Sequence, residues 1–266
     1  MAYYYGENDF KKLDNLKSSK LGVTVKSGDT AMSETSRSVV IGLGGMGLST
    51  VTRLKRELRE RVGNIDETKI RFLAIDTSKD DINLQRNDDL FKSEELPLFD
   101  NSSVTSMLRQ EPQYRPSAVN AMIPTDFCPE LTGDGANQIR MAGRLSLMEI
   151  GMFQGITSAI SGAISQLVDF VHKTLDVHII AGVGGGTGSG LTIDIPYIVR
   201  KIAKDLGISE NRVRVMGHVF LPNVYDKGGT ANLDCAYRNG YAALKEIDYF
   251  MNLEQIGETF EAEYPL

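Results

Sequence analysis

Sulfur and imidazole chemistry have little material in this chain. Its 266 residues include two cysteines and three histidines. Cys128 and Cys235 stand in no CxxC or CxxH spacing, so a metal site has no support from them. Two free thiols in a reducing compartment are the simpler reading. His172, His178 and His218 are scattered, with no HExxH arrangement, so none is marked as a catalytic base. No apolar run approaches the ~18 residues that a membrane-spanning helix needs. The N-terminus carries no apolar signal core, and a cytoplasmic location is expected. Positive charge is also scarce: 29 Lys and Arg face 35 Asp and Glu, a formal charge of −6. That balance disfavours a nucleic-acid or anionic-membrane surface, and no nucleic-acid partner is expected. It leaves room for a polyanion held by backbone amides.

The chain is long enough to bury a core without disulfide or metal staples. Residues 1–37 are polar, rich in Lys, Ser, Asp and Asn, and poor in periodicity. They are expected to form a flexible arm with one short helix near Asp9 to Leu16; docking of this arm on a neighbouring subunit is the functional alternative. Residues 38–266 read as a single domain. Ser38 to Leu43 is a short apolar run ending in glycines, which suits a buried parallel strand. Leu48, Val51, Leu54, Leu58 and Val62 are expected to form the inner face of the following helix. Ile70 to Ile75 is a second strand, closed by Asp76. Loops and short helices are expected from about Ser78 to Pro129.

A long helical stretch is expected from about Asn137 to Leu175, with Gly151, Gly155 and Gly162 marking breaks or close packing. Val177 to Ala181 is a third strand, followed by a helix from about Leu191 to Leu206. Val213 to Leu221 is a fourth strand, and a last helix runs from about Asn232 to Asn252. Strands alternating with helices predict an α/β fold with a doubly wound, mainly parallel, Rossmann-like sheet.

Two glycine loops each join a strand to a helix. Glycines in the first, Gly42-Leu43-Gly44-Gly45-Met46-Gly47, let backbone N–H groups approach a phosphate at a helix N-terminus. Alone it fits any GxGxxG nucleotide binder. The second, Gly182-Val183-Gly184-Gly185-Gly186-Thr187-Gly188-Ser189-Gly190, has six glycines in nine positions. Each glycine costs backbone entropy, so this density implies a use. A cradle of N–H groups around phosphate oxygens, with the Thr187 and Ser189 hydroxyls as further donors, supplies one. No lysine follows, which excludes the Walker-type loop.

Gly184 to Gly190 reads GGGTGSG, the signature of the tubulins, and bacterial FtsZ carries the near-identical GGGTGTG. Gly42 to Gly47 resembles the first loop of FtsZ. Phe72-Leu73-Ala74-Ile75-Asp76-Thr77 resembles its second strand and loop. Gly133-Asp134-Gly135-Ala136-Asn137-Gln138 resembles the third loop, which reaches the terminal phosphate. The four stretches occur in the family's order, so the chain resembles a divergent bacterial branch of the tubulin/FtsZ superfamily.

The resemblance implies GTP or GDP with Mg²⁺ as ligands. It gives Gly42, Gly44, Gly45 and Met46 to the α- and β-phosphates, and Gly184, Gly185, Gly186, Thr187, Gly188 and Ser189 to the signature cradle. Gly135, Ala136 and Asn137 would meet the γ-phosphate. Asp76 would sit near the phosphates or their metal. Asn232 is the candidate ribose contact, and Asn252 is either a guanine contact or a helix cap. Leu48 departs from the asparagine of FtsZ, and neither FEGxxR nor EPYN occurs between Phe220 and Arg238. The family's long central helix and the acidic loop that activates water are not identified in the chain. The resemblance therefore implies self-association into filaments, or a partner that supplies the missing half, with GTP hydrolysis dependent on that neighbour. An NAD(P)-binding oxidoreductase, with Asp76 as the ribose acid, is one alternative. A structural module that binds nucleotide without turnover is another.

Overall fold

A computed structural model describes residues 37–86, 89–97, 99, 101–111, 114–115, 130–132, 134–167, 174–227, 232–257 and 264. Residues 1–36 of the expected arm, with its helix near Asp9, and Cys128, Gly133 and His172 lie outside the described residues; Arg37, placed in the arm, instead begins a strand.

Four parallel strands form the sheet: β1 (Arg37–Leu43), β2 (Ile70–Ile75), β3 (Leu175–Gly182) and β4 (Val213–Phe220), in the order β2-β1-β3-β4. The near-continuous apolar runs of β1 to β3 are explained by burial on both faces. Helix α1 (Gly44–Val62) connects β1 to β2. It covers the face that carries Val40, Phe72 and Ile180. Between β2 and β3 lie α2 (Lys79–Arg86), α3 (Ser102–Leu108), α4 (Arg140–Leu145) and α5 (Ile150–Ser165). Helices α6 (Thr187–Leu191) and α7 (Asp194–Asp205) lead from β3 to β4, and α8 (Leu233–Met251) and the short α9 (Leu253–Ile256) follow. Apolar residues of α5 and α7 share one core with Val39, Ile41, Leu73, Val177 and Ile179, on the sheet face opposite α1. Helices on both faces make the fold doubly wound.

Three elements differ from the expectation. In α1, Leu54 is 36% and Val62 63% exposed, whereas Thr52 and Lys55 are buried. At about 100° per residue Leu54 lies roughly 240° around the helix from Leu48, but Lys55 returns to within about 20° of it. The Lys55 ammonium lies 5.4 Å from the ring centroid of Phe72 and 4.8 Å from that of Phe91, and it pairs with buried Glu95.

The long stretch after residue 137 is two helices, not one. A 3₁₀ turn (Ser146–Met148) separates them, and Glu149 restarts the helix as an N-cap, its carboxylate accepting from the Met152 N–H at 2.7 Å. Gly151, Gly155 and Gly162 all lie inside α5, so none of them is the break. Finally, the helix expected from Leu191 begins earlier and is interrupted at Thr192–Ile193. Pro196 has no N–H and would clash with the Thr192 carbonyl in a continuous helix. A restart at Asp194 places it in a first turn instead.

Candidate functional site

Connections leave β1 and β3 in opposite directions, β1 toward β2 and β3 toward β4. Between their carboxyl ends lies a topological switch point, where open α/β sheets bind ligands. A cavity of about 270 Å³ opens there. Gly44, Gly45 and Met46 of the first loop line it, as do Gly135, Ala136 and Asn137 of the third loop. Gly185, Gly186, Thr187 and Gly188 of the signature loop complete the wall, and Asp76 reaches it from the end of β2. The fold thus gathers four sequence-distant stretches on one hole.

Gly42, Gly184, Ser189 and Asn232 stand outside that lining. Ser189 is buried, and its hydroxyl accepts from Arg140 Nε at 2.7 Å, so it is spent on holding the loop. Arg140 also reaches Glu246 of α8 at 2.5 Å. Asn232 is the N-cap of α8: its side chain accepts from the Cys235 N–H at 3.2 Å, and its own N–H donates to Gln138 Oε1 at 3.0 Å. Asn252 caps the other end of that helix, its amide donating to the Asp248 carbonyl at 2.6 Å.

The dense glycines serve close packing between loops as well as the cavity. A Cβ on Gly44, which has φ +67°, would lie 2.6 Å from the Gly188 nitrogen. One on Gly184 would lie 2.6 Å from the ring of Tyr225. Gly45 is different: a Cβ there would meet nothing nearer than the Asp76 and Asp81 carboxylates at 3.8 Å, and it would project toward the hole.

Hydrogen bonds fix the loops to one another. Thr77 and Thr187 share a buried bond of 2.7 Å between their hydroxyls. The Gly135 N–H donates to the Thr77 carbonyl at 3.1 Å, and Ser78 bridges Asp134. Asn239 of α8 went unmarked in the sequence. Its amide nitrogen lies 2.7 Å from the Gln138 carbonyl, 3.2 Å from that of Gly184 and 3.4 Å from that of Gly185. One side chain thereby holds the third loop against the signature loop. Asn137 and Gln138 have φ of 49° and 57°, left-handed conformations that cost energy in non-glycine residues. Asn239 holds this backbone through the Gln138 carbonyl, and the Asn232 N–H holds the Gln138 side chain.

Asp76 is 3% exposed. Its Oδ1 accepts from the Thr77 N–H at 2.7 Å, while its buried Oδ2 has no partner. Burial pushes the carboxyl up to about 6; the N–H groups of Thr77 and Ser78 oppose the shift, and the charge of Asp81 adds to it. Asp81 and Asp134 also line the cavity, and no Lys or Arg stands among the described lining residues. The arrangement offers backbone donors to an anion and an unsatisfied carboxylate oxygen to a cation.

The chain matches the family model described as "Tubulin like" over residues 39–266. No curated protein sequence matches it. Among solved structures, the GDP-bound monomer of CetZ1 from Haloferax volcanii is 20% identical, with a TM-score of 0.45, over 79% of this chain and 47% of that one. CetZ from Methanosaeta thermophila is 16% identical, with a TM-score of 0.40, over 80% and 42%. TubZ of Bacillus thuringiensis serovar israelensis, in GDP-form protofilaments, is 18% identical, with a TM-score of 0.45, over 86% and 43%. The chain spans less than half the length of each.

Proposed function

This chain belongs to the tubulin-like family, and from that premise we propose that it binds a guanine nucleotide, with the phosphates seated between the first, third and signature loops. One observation carries the reading. The unpartnered, buried Oδ2 of Asp76 meets a cavity walled by the backbone of three glycine-bearing loops. Guanine preference is supported by the family, in which the GGGTGSG loop is the shared signature.

The electrostatics favour a nucleotide that arrives with a metal. Asp76, Asp81 and Asp134 would repel a bare triphosphate, and the described lining supplies no cationic side chain to offset them. Asp76 Oδ2 fits Mg²⁺, which keeps most of its water and typically takes one or two carboxylates together with phosphate oxygens. When bound, the ion would neutralise charge shared between the carboxylate and the phosphates. The loop N–H groups and the N-terminus of α1 would orient the phosphates. Tyr225, against Gly184 at the cavity edge, would limit where the remainder of the nucleotide lies.

Hydrolysis belongs to an assembled state in this reading. In-line attack on a γ-phosphate depends mainly on positioned groups and electrostatics. In the family an acidic loop on a neighbouring subunit performs this, so hydrolysis by this chain would need such a neighbour. Self-association follows as part of the proposal.

Thermal shift tests the binding half, since a ligand selective for the native state raises the midpoint. GTP or GDP with Mg²⁺ should raise it, and EDTA should remove most of the rise. NADH should leave it unchanged. A rise with NADH alone would favour the dinucleotide oxidoreductase instead.

A further inference from the structure

The histidines that look scattered in sequence are brought together at the margin of the sheet. In the β3–β4 register His178 pairs with Met216 and Ile180 with His218. His178 and His218 are therefore diagonal neighbours whose side chains project from the same face. Their rings lie at 24° to one another with centroids 5.3 Å apart. His178 Nδ1 and His218 Nε2 are 3.1 Å apart. Helix α1 covers Val40, Phe72 and Ile180 of this face, but His218, nearer the β4 edge, is exposed and His178 is half-buried. Solvent therefore reaches the pair.

We propose that His178 and His218 form a two-imidazole chelate for a divalent first-row transition cation such as zinc, separate from the nucleotide cavity. A cation bound to two imidazole nitrogens at ~2.0–2.1 Å, with an angle of roughly 90–110°, sets those nitrogens about 2.9–3.4 Å apart. The observed separation falls in that interval before any rearrangement. In the metal-free chain one of these nitrogens donates to the other; on binding a cation the donating ring takes its other tautomer, its proton moving to the opposite ring nitrogen, so that both lone pairs face the ion.

Arg214 precedes the pair on the same face of β4. Arg214 is itself compensated by a two-bond pair with Asp176, at 2.6 and 2.7 Å, one step along the same face. Two protein ligands leave the other coordination positions to water, so the site is open and of modest affinity. Its structural effect is to staple β4 to β3. Strand β4 runs directly into the 3₁₀ segment Pro222–Lys227, which carries Tyr225 to the cavity edge.

Calorimetric titration of the full chain with zinc, in buffer free of nucleotide, tests the proposal. One ion per chain is expected at this site, with affinity reduced at least tenfold in both His178→Ala and His218→Ala. His218→Gln separates chelation from folding: it retains a hydrogen-bonding group opposite His178 and should also lose the ion. His172→Ala should bind as the parent does. In NMR spectra zinc should move the ring signals of His178 and His218 and leave those of His172 in place. Zinc binding unchanged in both alanine variants, or no binding at 100-fold excess over the chain, would overturn the assignment.

Discussion

Thr77 Oγ1 and Thr187 Oγ1 lie 2.7 Å apart in a buried contact that ties the end of β2 to the signature loop, 110 residues further along the chain. Two of the cavity's walls are thus joined by one hydroxyl pair. Thr187→Val strands the Thr77 hydroxyl and should cost about 1–3 kcal/mol. The double variant Thr77→Val, Thr187→Val should lose less than the sum of the two single changes, because neither hydroxyl is then left alone. Urea unfolding of the four proteins measures the coupling. Strict additivity would show that the contact contributes nothing to stability.

Asp76 makes stability depend on pH. Its carboxyl is raised from 3.8 to about 6 in the folded chain. Between those values the native state holds a proton that the unfolded chain releases. This group's contribution is complete below about pH 4 and is lost as pH rises through about 6. In metal-free buffer Asp76→Asn should be more stable than the parent at pH 7, by on the order of 2 kcal/mol, and the gap should close toward pH 4. Denaturant midpoints across that range check the sign; a parent that is the more stable of the two at pH 7 would refute it.

Asn239 is a positioning residue for the cavity. Its amide spans the carbonyls of Gln138 and Gly184, which belong to different loops. Asn239→Ala should lower nucleotide affinity about three- to tenfold, as expected for a lost bond of order 1 kcal/mol. The far-UV spectrum should stay that of the parent. Unchanged affinity would mean that the two loops hold their spacing without it.

The sheet was legible because β1 to β3 are near-continuous apolar runs buried on both faces, with glycine closing β1 and β3. The cavity was legible for a related reason: loops at the carboxyl ends of adjacent parallel strands must converge. What escaped the sequence is pairwise. Lys55 reads as a solvated cation until Glu95 and two aromatic rings are placed beside it. Ser189 reads as a ligand donor, yet Arg140, from a helix 49 residues earlier, claims its hydroxyl. His178 and His218 are 40 residues apart, and only the strand register makes them neighbours. The break at Glu149 lacks glycine or proline, so no local signal announces it. Asn239 sits mid-helix, where its reach to two loops depends on where α8 docks.

Gly45 offers the most direct test of nucleotide binding in this cavity. A Cβ at this position makes only ordinary van der Waals contact, with the Asp76 and Asp81 carboxylates at 3.8 Å, so Gly45→Leu should fold and fill the hole. Calorimetry with Mg²⁺ should show the parent binding GTP and GDP in preference to ATP and NADH, and Gly45→Leu binding none of them while melting within a few degrees of the parent. Undiminished GTP binding by a folded Gly45→Leu chain, or a parent that takes up NADH and not GTP, would contradict the account.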